Sequence, residues 1–251
     1  MTFIGIDLAT DVKRTGLAVL REGAGSVVVD VVRIGATDED LIDAIRTAER
    51  AGVDVPFGWP EDFVSVIEAQ ARGTLEAPAS TGSEWRRDLA LRATDKAVRQ
   101  RTGLTPLSVS TDRIAYPALR WAGIEARLRG LWTNVCRDGA GVVCEVYPAA
   151  ALKCWGLAYR GYKGVKNSAQ RSELVDSVSE KLPWLDWNGH RGLCAADKNA
   201  LDAVIAALVA REVERGRCEP PPIDLTEKAK REGWIWLPGD EPFAPTANEC
   251  Q

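Results

Sequence analysis

Apolar and polar positions change their spacing several times along the chain, and each change predicts an element. Phe3-Ile4-Gly5-Ile6 is a short apolar run closed by Asp7 and predicts a buried strand. Thr15 to Leu20 predicts a second strand. After the glycine-rich turn Arg21 to Gly25, the β-branched run Ser26 to Ile34 predicts a third. Short turns between consecutive strands imply an antiparallel meander. Thr37-Asp38-Glu39-Asp40 is an acidic, cap-like start, and Leu41, Ile45 and Ala48 follow at helical spacing. That helix is expected to end near Ala51-Gly52. Val53-Asp54-Val55 then reads as a strand stopped by Pro56. The order β-β-β-α-β places the last strand parallel to the first, through a right-handed crossover.

Residues from about Phe57 to Ala140 carry a different pattern. Glu61 to Arg72, Ser83 to Arg101 and Tyr116 to Leu131 predict helices separated by Gly, Pro, Ser and Thr, and they read as a helical insertion, 57–140, over one end of the sheet. The sheet resumes at Gly141 to Tyr147 and stops at Pro148. Helices are predicted at about Ala149 to Trp155, Ala169 to Leu182 and Lys198 to Arg215. Residues 220–251 form a Pro-rich tail in which Trp234-Ile235-Trp236-Leu237 is an edge strand or a packing strap. No internal repeat is present. The expected fold class is α/β, with a mixed five-stranded sheet, three antiparallel strands then two parallel, flanked by helices.

Composition narrows the chemistry. At 251 residues the chain suits one α/β domain, 1–251, carrying an insertion. The net charge of −4 excludes a global basic field but not a local basic patch. The single histidine, His190, rules out a His-rich metal site, and its polar loop suits a surface residue better than a catalytic one. Six cysteines without C-x-x-C spacing read as buried thiols in a reducing compartment, with Cys250 near the end and exposed. The start lacks signal-peptide character, and the late apolar run Ala203 to Ala210 is far short of the ~20 residues a membrane span needs. A cytoplasmic protein with no membrane partner is expected.

The informative pattern is where the acids fall. Asp7, Asp54 and Glu145 lie within or at the end of short apolar strands, where an unpaired carboxylate costs several kcal/mol, roughly 2–7. If the strands are adjacent and parallel, the three acids meet at one carboxyl edge, where open α/β sheets place their ligands. Without an obvious cationic partner they point to a divalent ion, and hard oxygen ligands select Mg²⁺ or Mn²⁺. Asp202 borders the apolar face Leu201, Val204, Ile205 and Leu208 of the last long helix and offers a fourth ligand. Asp197 suits its N-cap. Each acid also has a plainer reading: Asp7 as a strand end, Asp54 as a turn residue, Glu145 paired with Lys153 or Lys163.

The strand order, with an Asp on the first strand and another on a late helix, resembles the ribonuclease H-like superfamily. Gly5-Ile6-Asp7-Leu8-Ala9 with Thr15-Gly16, Val53 to Gly58, Arg92-Ala93-Thr94-Asp95, Glu145-Val146-Tyr147-Pro148, Tyr162-Lys163-Gly164 and Leu201-Asp202-Ala203 resemble, within it, the family called domain of unknown function 429, described as predicted nucleases. The resemblance implies metal-dependent hydrolysis of a nucleic-acid phosphodiester, with Asp7, Asp54, Glu145 and Asp202 as catalytic ligands of two ions. Two rivals remain: an ATP-dependent phosphotransferase of the actin and sugar-kinase type, suggested by Gly5 to Thr10, and a non-catalytic cation-binding module.

Arg86 to Arg101 is locally basic. Arg92, Asp95 and Arg99 within it are candidates for phosphate contact or for support behind the site, against the plainer reading of a solvated helix face. Lys163, with Lys166 and Arg171, is a candidate phosphate contact or a mere loop residue. Trp59, Trp85, Trp121 and Trp132 suit packing of the insertion better than base stacking. The insertion offers either a homodimer face or a lid.

Overall fold

The computed structural model describes residues 1–164, 166–242 and 244–245. β1 (Thr2–Asp7), β2 (Gly16–Gly23) and β3 (Ser26–Ile34) form the expected antiparallel meander. α1 (Asp38–Arg46) begins at a Thr37 capping box and leads into β4 (Arg50–Asp54), which lies parallel to β1 with Asp7 opposite Asp54. β5 (Val143–Glu145) adds parallel to β4. With β6 (Leu185–Asp186) the sheet has six strands, not five, in the order β5-β4-β1-β2-β3-β6. The addition, β6, is parallel to β3. Two residues are too few for an alternating pattern to register in the sequence.

Between β4 and β5 run α2 (Glu61–Arg72), α3 (Ser83–Ala90), α4 (Ala93–Thr102) and α5 (Ala115–Gly130). The single helix expected over Ser83 to Arg101 is two, because the chain leaves the helix at Leu91 and Arg92 becomes the extended cap of α4. Trp121 of α5 stacks on Phe57 with ring centroids 4.7 Å apart, so it packs. Trp132 is 96% exposed. Beyond β5 come α6 (Pro148–Cys154), α7 (Ser168–Lys181), α8 (Arg191–Ala196), α9 (Lys198–Glu214) and α10 (Thr226–Glu232). The expected tail is therefore partly helical, and Ile235 bridges to Glu145 as a strap along β5, with the Trp236 N–H donating to Glu145 O at 2.9 Å. Cys136, Cys144, Cys154, Cys194 and Cys218 are free thiols, and Cys250 lies outside the described residues. No described helix is long and apolar enough to cross a membrane.

Strand alternation sorts the sheet residues between two layers. Ile4, Ile6, Ala51, Val53 and Val143 face α1 and α5. Phe3, Ala18, Leu20 and Cys144 face α9, which is buried continuously from Asn199 to Val213. α9 approaches so closely that three strand positions on that face hold glycine. A Cβ on Gly5 would stand 1.9 Å from Ala203 O, one on Gly16 2.2 Å from Asn199 O, and one on Gly52 2.4 Å from Ala206 O. This is why Ala51-Gly52 belongs to β4 and does not close α1: Gly52 serves the helix–sheet contact and not a C-cap.

Gly5→Ala is expected to destabilise the fold by about 3 kcal/mol or more, since the obstruction is backbone and cannot rotate away. Gly23→Ala, where a Cβ meets nothing within 4 Å, is expected to change stability by less than about 0.5 kcal/mol. Urea melts of the two variants check this, and equal losses would contradict the close helix contact.

Candidate metal centre

The same alternation decides which acids meet. Asp7 ends β1 in step with Phe3 and Gly5, and Asp54 ends β4 in step with Gly52. Both therefore look toward α9, where Asp202 lies one turn after Lys198. One carboxylate oxygen from each of Asp7, Asp54 and Asp202 lies within 4.8 Å of the others. Asp202 is fully buried and Asp7 is 9% exposed. Asp7 Oδ2 and Asp202 Oδ2 are buried and accept no hydrogen bond, while Asp202 Oδ1 accepts one from the Tyr162 hydroxyl at 2.7 Å.

Two lysines face this triad, so the acids are not without cationic partners as the sequence suggested. The Lys163 ammonium lies 3.1 Å from Asp202 Oδ2, an ion pair outside hydrogen-bond geometry, and that of Lys198 lies 3.6 Å from Asp7 Oδ2. Burial, reinforced by Asp202, pushes the Asp7 carboxyl up to about 7 against the pull of both lysines. Burial likewise lifts Asp54 well above the ordinary range, with Lys163 opposing and Asp7 and Asp202 adding to the rise. Burial works against the charge on Lys163, but Asp202, then Tyr162, Asp54 and Asp7, outweigh it and raise its pKa. Fully ionised, three carboxylates against two ammonium groups would leave one net negative charge in a confined space.

Neighbouring elements hold the parts in place. The buried Arg171 guanidinium donates to the carbonyls of Tyr162, Gly164, Ala195 and Ala196, which fixes the loop that carries Lys163. Arg120 of α5 donates to Ala9 O and Thr15 Oγ1, both at 2.6 Å, which ties down the loop after Asp7. Asp197 caps α9, its side chain accepting from Asn199 N at 2.7 Å. Lys198 and Tyr162 received no role from the sequence. The available signal for Lys198 was its i, i+4 spacing to Asp202, which puts the two on one helix face.

Glu145 does not join the triad. Parallel pairing sets it opposite Val53, so it belongs to the other alternate set and faces away from α9. There Arg92 donates to its two oxygens at 2.8 and 2.7 Å, and the Phe57 N–H donates at 3.0 Å. Its partner is thus neither Lys153 nor Lys163. Arg92 also donates to Asp95 at 2.9 Å and to Glu232 O at 3.1 Å. Arg92 and Asp95 are buried and serve this ion-pair network, so neither is open to a phosphate. Arg99 is exposed and lines a shallow depression with Arg87, Lys96 and Gln100. His190 heads α8, with Nε2 3.3 Å from Asp30 O. Of the sequence candidates, Asp7, Asp54, Asp202 and Lys163 come together; Glu145, Arg92 and Asp95 form a separate buried cluster; Arg99 stands apart.

A family model described as "Protein of unknown function (DUF429)" matches residues 5–227. The chain belongs to that family. The DUF429 match takes in the whole triad, Lys163 and Lys198, but stops short of Glu232 and the strap at Ile235. No curated protein matches the chain, and no solved structure does.

Proposed function

We propose that this DUF429 chain is a divalent-cation-dependent phosphodiesterase acting on nucleic acid, a nuclease of ribonuclease H-like architecture. The observation that carries the proposal is the carboxylate triad, gathered from two strand ends and a buried helix. The antiparallel meander, with β4 parallel to and beside β1, supports the architecture. The buried, unbonded oxygens of Asp7 and Asp202 fit the ligand set of a hard cation such as Mg²⁺ or Mn²⁺. Glu145 is already engaged by Arg92, so three acids serve as ligands and not four.

A bound cation there supplies a Lewis acid and a water of lowered pKa. The protein does the rest. Asp7, Asp54 and Asp202 fix the ion at the sheet edge. Tyr162 holds the Asp202 carboxylate in one rotamer. Lys163 and Lys198 relieve the repulsion when no ion is bound and stand ready to take phosphate oxygens when one is. Beside Lys198, a depression of about 520 Å³ also presents Lys13 and Arg14, both exposed and without an ion pair among the described residues. This local basic edge supports a polyanionic substrate despite the net charge of −4.

The direct assay is cleavage of plasmid, single-stranded DNA and RNA with Mg²⁺, Mn²⁺ or a chelator. Expected is cleavage that requires the metal and disappears in Asp202→Asn. Cleavage that survives the chelator would sink the proposal, and cation binding without turnover on any of the three would reduce it to a cation-binding module. ATP-dependent phosphoryl transfer in place of cleavage would favour the kinase rival.

Stability supplies a second test. Asp7 holds a proton in the folded chain that it has released in the unfolded one between pH ~4 and ~7, and the raised Asp54 acts in the same direction, so the ion-free protein binds more protons when folded and loses stability as pH rises through that window. A cation competes with those protons and binds better at pH 8 than at pH 5.5. At about 100 times its dissociation constant, Mn²⁺ should add ~2.7 kcal/mol. That raises Tm by roughly 5–10 °C at pH 8, with a clearly smaller rise at pH 5.5. Equal rises at both pH values would place the ion elsewhere.

A further inference from the structure

A cavity of about 420 Å³ opens directly beside the triad, with Asp54 and Lys163 at one end. That volume lies within the ~300–1,000 Å³ of small-molecule sites. Away from the triad its walls are mainly apolar and aromatic, formed by Leu107, Ile114, Tyr147 and Tyr159. Arg92 and Glu145 contribute to the lining but offer no free charge, because each already bonds the other and Asp95 or Phe57 N besides. Arg160 also lines the cavity; it is exposed, and its guanidinium lies 5.3 Å from the Tyr159 ring centroid.

Its free charges are Asp54 and Lys163 beside the triad and the exposed Arg160 by Tyr159; the rest of the lining is mainly apolar and aromatic. Asp54 there has neither hydrogen bond nor ion pair among the described residues. Leu107, in the apolar part of the lining, is 61% exposed although it is a large apolar residue. An occupant that satisfies both ends carries an anionic group, held by Lys163 and the cation, joined to a flat apolar body that covers Leu107 and lies against Tyr147. Inorganic phosphate alone leaves the apolar walls wet, and an apolar molecule alone leaves the charged end unmet.

We propose that this cavity seats one nucleoside unit of the substrate, next to the phosphodiester held at the triad. The assignment rests on the nuclease reading above and adds where the strand lies: one base leaves the stack and enters the Tyr147–Tyr159 side of the site, so the substrate is single-stranded or locally opened at the point of cleavage. Tyr159 already carries Lys153 and Arg160 against its ring, at 4.9 and 5.3 Å, so Tyr147 is the stacking surface; a tyrosine ring accepts any base face, which predicts weak sequence preference.

The test is equilibrium binding to the full chain, by calorimetry, of Mn²⁺ alone and then of adenosine 5′-monophosphate, inorganic phosphate and phenyl phosphate in its presence and absence. Expected is nucleotide binding at least tenfold tighter than that of phosphate and clearly tighter than that of phenyl phosphate. Tyr147→Ala should weaken the nucleotide about tenfold while phosphate is unchanged. Leu107→Gln, at an exposed position that does not carry the fold, should weaken it in the same direction. Mn²⁺ bound with nucleotide no tighter than phosphate, or phenyl phosphate equal to the nucleotide, would overturn the nucleoside assignment and leave the cation reading standing. Nucleotide favoured over phosphate without any Mn²⁺ binding would overturn the cation reading and leave the pocket. Neither binding would overturn both.

Discussion

Asp7→Asn is expected to make the ion-free protein more stable and at the same time inactive. Asp7 is crowded by Asp202 and Asp54 at the buried sheet edge, and its carboxyl stands at about 7 where 3.8 is ordinary. Ionising it at pH 8 therefore costs the folded state up to ~4 kcal/mol, at about 1.4 kcal/mol for each tenfold change in the proton equilibrium. The amide keeps the shape and removes that cost. Without metal, the variant should melt several degrees above the parent at pH 8 and level with it at pH 4, where the parent's carboxyl is protonated. With Mn²⁺ the order should invert, because the parent gains the ion and the variant does not. Cleavage should fall by about a thousandfold or more, equivalent to ~4 kcal/mol of transition-state stabilisation. A variant that melts lower without metal, or that retains full metal-dependent cleavage, would show that the triad is an ordinary structural cluster.

Arg92→Met should do the opposite: damage the fold and spare the cation. Arg92 is 1% exposed and bonds Glu145, Asp95 and the Glu232 carbonyl, so it joins β5, α4 and the C-terminal end of α10. Its removal leaves two buried carboxylates without their counter-charge, a loss of roughly 3–5 kcal/mol. In a chain of this size that lowers Tm by about 6–20 °C. Burial already raises the Glu145 carboxyl against the pull of Arg92. Without Arg92 it rises further, the folded state takes up a proton more readily, and the deficit should shrink as pH falls from 8 to 5. Mn²⁺ affinity at 10 °C, where the variant remains folded, should stay near the parental value because Glu145 faces the other layer of the sheet. A small stability loss joined to a large loss of Mn²⁺ binding would return Glu145 to the ligand set.

Much of this was legible in the residues. The meander, the Thr37 cap, the parallel fourth strand and the buried helix α9 follow from local period and capping chemistry, which act within a few residues. Lys163, in the stretch Tyr162-Lys163-Gly164, and Asp202 each stood out, but their pairing did not. Two-residue β6 carries too little pattern to detect. The split between α3 and α4 was hidden because Arg92 is a good helix former, and only its buried partners draw it out of the helix. Gly52 read as a helix end, and Gly5 and Gly16 as ordinary strand positions; the close approach of α9 gives all three their role.

The sequence by itself determined that acids would sit at strand ends in an α/β domain, and that at least some of them would carry unusual energetic weight. Only the tertiary structure decided which acids share a site. Side chains on a strand alternate between faces, so the register of β5 against β4 sends Glu145 to one layer and Asp54 to the other. That register is set by long-range packing of α9 and the strap around Ile235, which no local pattern encodes. For the same reason the lysines that balance the triad, thirty-five residues apart in the chain at Lys163 and Lys198, became visible only once the helix and loop that carry them were folded against the sheet.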